Sequence, residues 1–280
     1  MRLQLIATGD MERQVLAPSI ARAFGRSIEP MESLRAQSIT ATRLPPFSPE
    51  SVADLRNPFG LIAFATRIIA SAAFERRRHE ARPDLLLVVD DLELVNRDQP
   101  HVVVAWLRWA LNKVLEEERL HEARAWLLHH CSFHLFVPMA EAYFFGDPVA
   151  LAAAGVSTQR HPRLVGHDLE RFETDDRDYL AGRPQRSARF HPKHYLSFLA
   201  NGYSETRQGA KALTQLRWEA LRPERTCLAF ARAMFEDIAT ALGGVQNPLG
   251  PGTLARATWR DDAPGEPFDN GEPDQVLRNI

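Results

Sequence analysis

Several features that often narrow the function of a protein are absent from this chain. It has only two cysteines among 280 residues, Cys131 and Cys227, and both stand in apolar surroundings, so no disulfide framework is expected. The formal net charge of −2 leaves only a local patch, and no general positive excess, for binding a nucleic-acid backbone. Residues 61–74 come nearest to a membrane span, but Arg67 interrupts them and they fall short of the roughly 18 apolar residues required. These absences predict an intracellular, cytoplasmic protein that is not embedded in a membrane.

Two common catalytic signatures are missing as well. The chain contains neither the Gly-x-x-x-x-Gly-Lys-Ser/Thr loop of P-loop ATPases nor the Gly-x-Ser-x-Gly elbow of serine hydrolases. The apolar start of the chain ends at Ala7, which is too short for the apolar core of a secretory signal. P-loop ATP hydrolysis and serine-hydrolase chemistry therefore have no support in the sequence.

Apolar runs alternate with helical stripes in the first half of the chain. Residues 85–89 are all apolar and run directly into Asp90 and Asp91, as in strands that are covered on both faces. The alternation of strands and helices predicts an α/β fold with a parallel sheet of about four strands flanked by helices. The predicted strands are 3–7, 38–41, 85–89 and 132–137, and the predicted helices are 11–24, 59–79 and 101–119.

After Gly146 the sequence becomes more polar and poor in strand patterns, and this change in composition predicts three regions. Residues 1–156 form the α/β domain, residues 157–245 a mainly helical extension packed on it, and residues 246–280 a poorly structured tail. Helices of the extension are predicted at 192–200, 208–218 and 224–242.

Acidic residues follow three of the predicted strands. Ligands of an open parallel sheet bind at the carboxyl ends of its strands, so these side chains are expected to meet at one edge. Carboxylate oxygens suit Mg²⁺ or Mn²⁺, which activates water for phosphodiester cleavage. The predicted metal ligands are Glu12, Asp90, Asp91, Glu93 and Glu141, and Glu12, Asp90 and Asp91 are the predicted catalytic residues. The alternative stays open that Glu12 only stabilises the first turn of a helix and that Asp90 and Asp91 end a strand in water.

A basic segment in the second half offers a site for phosphate. Lys193 is predicted to contact a phosphate or a nucleic-acid backbone as a point charge, with His191 and His194 beside it. His191 is followed by proline and equally fits the start of a helix, where proline is tolerated. The run HHCSFH at 129–134 has the residue types of a zinc site, but structural zinc sites use more widely separated pairs.

The acidic turn after the first strand and the acidic residues after the third resemble a Toprim-type domain. That fold uses Glu-Gly after one strand and Asp-x-Asp after a later one to hold Mg²⁺. The second half more closely resembles one bacterial Toprim-like family, the domain-of-unknown-function family 4276. The resemblance spans roughly residues 1–242, and its most specific part is the His-Pro-Lys-x-Tyr-Leu segment with its downstream Tyr and Gly. The matching stretches are MAEAYFFGD at 139–147, HPKHYL at 191–196, YSET at 203–206 and GAKAL at 209–213.

Two positions depart from the Toprim pattern. Thr8 stands where the pattern has Glu before Gly, and Leu92 stands where it has the second Asp. Asp91 and Glu93 restore the acidic spacing one residue later, in a frame that points differently. The missing Glu removes the expected general acid or base, so the fold can persist while cleavage is weakened or lost.

The resemblance implies one function and leaves a second open. It implies a divalent-metal-dependent nuclease that acts on DNA or RNA, with an AAA-type ATPase partner and a role in anti-phage defence. The alternative is a catalytically degenerate Toprim-like subunit that binds partners in a larger complex. The two departures from the pattern favour this alternative.

Overall fold

The computed structural model describes residues 1–72, 82–118, 120–183, 185–221, 224 and 226–255. The expected α/β class is confirmed, and the described part of the chain contributes five strands to one parallel sheet instead of about four. The strands are β1 (Arg2–Ala7), β2 (Glu29–Pro30), β3 (Leu34–Arg35), β4 (Leu85–Asp91) and β5 (Cys131–Phe136). Their order is β2-β1-β4-β5, and β3 also pairs with β1.

Helices connect the strands and make up most of the regular structure in the second half. The first three helices begin one residue before their predicted starts, and a further helix, which was not predicted, directly precedes β5. The α-helices of the described ranges are α1 (Asp10–Ala23), α2 (Pro58–Ala72), α3 (Pro100–Glu117), α4 (His121–His130), α5 (Glu141–Phe144), α6 (Pro148–Ala153), α7 (Arg177–Ala181), α8 (Pro192–Leu199), α9 (Ala210–Gln215) and α10 (Ala229–Ala241).

Two hydrophobic cores lie on opposite faces of the sheet, because successive side chains of a strand point to opposite faces. In β4, Leu85, Leu87 and Val89 face the first core, which also contains residues of α1, α9 and α10. Leu86 and Val88 face the second core, which contains residues of α2, α3 and α4. We call these the α1 side and the α2 side. Covering both faces explains why β4 is apolar at every position before its acidic end.

The helices of the second half pack directly on the α/β part. Ser19 of α1 donates a hydrogen bond to the carbonyl of Leu213 at 2.8 Å and accepts one from the indole nitrogen of Trp218 at 3.0 Å. All three residues are buried, and α10 lies against β5. The α1-side core is therefore built from both halves of the chain.

The structure corrects the sequence-based elements at a few places. Residues 38–41 are not a strand, and the two short strands β2 and β3 pair with β1 instead. The helix α4 was not predicted. The predicted helix 59–79 is present up to Ala72, and residues 73–79 lie outside the described ranges, as does the predicted tail beyond residue 255. No helix in the described ranges is both long enough and apolar enough to cross a membrane.

Candidate acidic site

The first turn of α1 carries Glu12 directly beyond the end of β1. The Glu12 residue is 4% exposed, and its side chain folds back over Gly9, where the Cβ of a larger residue would overlap the carboxylate. The Oε2 atom of Glu12 is buried without a hydrogen-bond partner. Burial, followed by the charge of Glu141, raises the pKa of Glu12 to about 8. Gly9 thus makes room for a carboxyl group that carries a proton at neutral pH.

The two acidic residues that end β4 point to opposite faces of the sheet. Asp90 continues the alternation of Leu86 and Val88 and faces the α2 side, whereas Asp91 continues from Val89 and faces the α1 side. Glu12 belongs to α1 and lies on the α1 side as well. The neighbouring aspartates therefore stand in different environments.

Asp90 is fully engaged by hydrogen-bond donors from the chain itself. Burial raises its pKa to about 6, and the hydrogen bond from Thr8 opposes that rise. Because its partners come mostly from the 38–40 segment, Asp90 holds that segment in a loop against the end of β4. The donors are Thr8 Oγ1 at 2.5 Å, the Ile39 backbone nitrogen at 3.1 Å and the hydroxyls of Ser38 and Thr40, both at 3.3 Å.

Asp90 does not join Glu12, and the expected ligand set changes accordingly. Thr8, which stands where the Toprim pattern has Glu, supplies a hydroxyl donor to Asp90 at a position where a carboxylate would repel it. Leu92, which stands where the pattern has the second Asp, is completely buried in the α2-side core. The acid of β4 that faces Glu12 is Asp91.

Four carboxyl groups on the α1 side have raised pKa values, and the charges of the other three contribute to the rise at Asp91. We call Glu12, Asp91, Glu93 and Glu141 the acidic cluster. Burial, followed by the charges of Glu12 and Glu141, raises the pKa of Asp91 well above its usual value. Burial also raises the pKa of Glu141 to about 7. Asp91 Oδ1 accepts a hydrogen bond from the backbone nitrogen of Ala140 at 3.0 Å, which ties the end of β4 to the start of α5.

Glu93 combines an unusual backbone conformation with a place at the edge of the acidic cluster. Its φ of 58° lies in the left-handed region that favours glycine, which costs on the order of 1–3 kcal/mol for other residues. Its backbone nitrogen donates to the carbonyl of Pro138 at 2.9 Å, so the loop after β5 holds it there. Burial raises its pKa, and the charge of Lys193 opposes the rise.

Lys193, near the start of α8, is the cation whose charge acts on Glu12, Glu93 and Glu141. Its ammonium group forms a close ion pair with Glu205 and lies 3.9 Å from Oε1 of Glu141. Burial lowers the pKa of Lys193, but Glu141 and Glu205 outweigh burial, so that its pKa is raised. Lys193 therefore stays charged at neutral pH.

The two histidines beside Lys193 stack on each other. The ring centroids of His191 and His194 are 3.6 Å apart. Burial, followed by the charges of His194 and Lys193, lowers the pKa of His191 to about 4. Burial also lowers the pKa of His194. Both rings are neutral at pH 7, so of the three predicted phosphate contacts only Lys193 supplies a positive charge.

The donor set of the acidic cluster fits a hard divalent cation. Its ligand atoms are carboxylate oxygens, and Glu12 contributes a buried oxygen without a partner. As the side chains stand, no three His, Cys, Asp or Glu residues of the described ranges converge into a group that could hold a metal ion. Mg²⁺ usually takes only one or two carboxylates and completes its coordination with water and phosphate oxygens. Glu12, Asp91 and Glu141 are the residues that would supply such a site.

The histidine-rich run at 129–134 is not a zinc site in the described structure. Cys131 faces the α2-side core, whereas His134 points to the opposite face of the sheet. The His134 ring lies 2.5 Å from Ser132 Oγ and 3.1 Å from Asp237 Oδ2, and all three residues are buried. This contact joins β5 to α10.

Sequence reasoning missed the part that Glu205 and Tyr203 play at the site. Both lie within a stretch that carries the family resemblance, but no spacing relates them to the strand ends. The hydroxyl of Tyr203 lies 3.4 Å from Oε1 of Glu141, and Glu205 pairs with Lys193. Only the packing of the second half against α1 and α5 brings them to the acidic cluster.

Comparisons with family models, with curated proteins and with solved structures found no match to this chain. The Toprim-like resemblance therefore stays a prediction from the sequence, and the α/β fold and the acidic cluster are what the structure adds to it.

Proposed function

We propose that this chain is a Toprim-like protein whose acidic cluster binds Mg²⁺ or Mn²⁺ and acts on nucleic-acid phosphodiesters. The observation that carries the proposal is the buried carboxyl group of Glu12, which has an unpartnered oxygen and a pKa raised by burial and then by the charge of Glu141. Burying carboxyl groups together is unfavourable unless a proton or a cation neutralises them. A divalent cation is the neutralising partner that also supplies chemistry.

The residues of the chain divide the work of such a reaction. A bound Mg²⁺ or Mn²⁺ would polarise a phosphoryl oxygen and lower the pKa of a water molecule. Asp91 and Glu141, whose pKa values are raised in the metal-free chain, would ionise to hold such a cation, and Lys193 holds a phosphate by its charge. Glu12, which carries a proton in the metal-free chain with a pKa of about 8, would release that proton on binding the cation together with Asp91 and Glu141.

The family resemblance extends the proposal beyond the site. It adds an AAA-type ATPase partner and a role in anti-phage defence, whereas the proposed cytoplasmic setting comes from the composition of the chain. DNA and RNA are both substrates to be tested, because the site reads a phosphodiester and no base.

Cleavage of supercoiled plasmid DNA and of single-stranded RNA in the presence of Mn²⁺ tests the proposal. Glu12→Gln and Asp91→Asn are each expected to lower the cleavage rate by on the order of 100-fold, because each removes a carboxylate from the site. Glu173→Gln is the matched control, since Glu173 is a partly buried glutamate paired with Arg189 and is not a member of the cluster. Cleavage that survives in both Glu12→Gln and Asp91→Asn contradicts the proposal.

A second candidate function is a catalytically degenerate subunit that binds partners in a larger complex. Two observations favour it: Asp90 is occupied by four hydrogen bonds from the chain, and no three acidic residues of the described ranges converge as they stand. In that case the carboxyl groups of the cluster are neutralised by protons. Tight binding to a neighbouring ATPase, with no cleavage and no change in melting temperature on adding Mn²⁺, supports this candidate over the nuclease.

A further inference from the structure

The ion pair between Lys193 and Glu205 lies on the open side of the acidic cluster. The Lys193 side chain is 40% exposed and the Glu205 side chain 30%, whereas Glu141, which also faces Lys193, is 2% exposed. Glu205 begins a π-helical turn, Glu205–Gly209, that packs against α1. The outer face of the Lys193 ammonium group is therefore covered by a side chain that solvent can reach.

Glu205 adds a negative charge beside the acidic cluster. Its negative charge raises the pKa values of Glu12, Glu93 and Glu141. The attraction of Lys193 holds Glu205 beside the four carboxyl groups of the acidic cluster. A carboxylate in this position makes its neighbours harder to ionise, and another anion can take its place on Lys193.

Tyr203 places a hydroxyl donor beside this pair that lacks a good acceptor. Its oxygen lies 3.4 Å from Glu141 Oε1 and 3.8 Å from Met11 Sδ, both at the long end for hydrogen bonds. Burial, followed by the charge of Glu141, raises the pKa of Tyr203, so the hydroxyl keeps its proton. Gly209 leaves the space for this hydroxyl, since a Cβ there would overlap it.

We propose that Lys193 and Tyr203 form a phosphoryl-binding site. Glu205 stays ion-paired with the ammonium group of Lys193 until a phosphoryl oxygen displaces it. A phosphoryl group has several oxygens, so one can contact the ammonium group while another accepts from the Tyr203 hydroxyl. Glu205 then acts as an internal competitor of the nucleic-acid phosphate. This inference rests on the proposed function, because it names the group of the substrate that the open side of the acidic cluster receives.

A ³¹P NMR titration with inorganic phosphate tests the inference without any metal. It is made at pH 6 in the presence of EDTA, where Glu12 and Glu141 carry protons and inorganic phosphate has the charge of a phosphodiester. Glu205→Gln is expected to bind phosphate about fivefold more tightly than the native chain, because a partly exposed ion pair no longer competes. Lys193→Met is expected to lose binding, and Tyr203→Phe to bind about threefold more weakly.

Glu173→Gln is the matched control for Glu205→Gln. Glu173 pairs with Arg189 at 3.0 Å with side-chain exposures of 29% and 39%, close to those of Glu205 and Lys193. The substitution Glu173→Gln removes the same charge from the protein and is expected to leave phosphate affinity unchanged. Urea unfolding of each variant confirms that the comparison is made on folded protein.

Unchanged or weaker phosphate binding by Glu205→Gln overturns the inference, as does native-like binding by Lys193→Met. These results are separable from those of the cleavage assay. Phosphate binding that follows the expected order in a protein without Mn²⁺-dependent cleavage supports the binding site and overturns the proposed nuclease. Metal-dependent cleavage with no effect of Glu205→Gln on phosphate affinity supports the proposed nuclease and overturns the role of Glu205 as a competitor.

Discussion

Replacing Glu12 by Gln is expected to stabilise the protein at pH 8.5 and to change its stability little at pH 4.5. Glu12 is 4% exposed, and its pKa rises from 4.5 to about 8 in the folded chain. Between pH 4.5 and about pH 8 the folded state binds a proton that the unfolded state releases, so the free energy of unfolding falls as pH rises through this window. Below pH 4.5 both states are protonated, and above pH 8 both are ionised, so the stability difference is constant outside this window.

The size of the effect follows from the width of the window. At about 1.4 kcal/mol per pH unit, a single independent group would lose roughly 5 kcal/mol of stability by pH 8. Glu141 and Asp91 share their protonation with Glu12, so part of the loss remains when Glu12 is replaced. We therefore expect Glu12→Gln to raise the free energy of unfolding at pH 8.5 by about 2–3 kcal/mol.

Urea denaturation at several pH values, with EDTA present throughout, measures this difference. The exposed Glu32→Gln is the control, because it removes one charge from the protein without touching the acidic cluster. Parallel pH profiles for the native chain and Glu12→Gln would refute the reasoning, and so would a variant that is less stable at pH 8.5. Either result would mean that ionising the buried carboxyl group of Glu12 does not destabilise the folded state.

Two further predictions concern buried carboxylates outside the acidic cluster. Asp90→Asn is expected to lower the free energy of unfolding by about 2 kcal/mol in urea denaturation, because an amide nitrogen replaces an oxygen that accepts hydrogen bonds; native stability would contradict this. Glu170→Ala is expected to cost about 2–3 kcal/mol, because Glu170 accepts from the backbone nitrogens of Phe230 and Ala231 at the start of α10 and from the hydroxyl of Tyr143. Hydrogen exchange at these two amides should accelerate, and unchanged protection would rule out this role.

The sheet and its acidic edge could be predicted because their causes are local in the sequence. The run of apolar residues 85–89 requires a strand that is covered on both faces, and the structure has β4 there. A parallel sheet then places the ends of β1 and β4 at the same edge, where the charge of Glu12 raises the pKa of Asp91 further after burial. Residues 38–41 resemble a strand in composition, but their hydrogen bonds go to the side chain of Asp90 and to Asp91.

What the sequence by itself determined is the α/β class, the buried strands and the presence of acids at their ends. Only the tertiary structure decided which acids meet. Asp90 and Asp91 are neighbours that must point to opposite faces, and the choice between them depends on which face carries α1 and which carries the 38–40 loop. Glu205 and Lys193 reach the cluster through the packing of the second half on the first. Such contacts join residues far apart in sequence, so no local pattern encodes them.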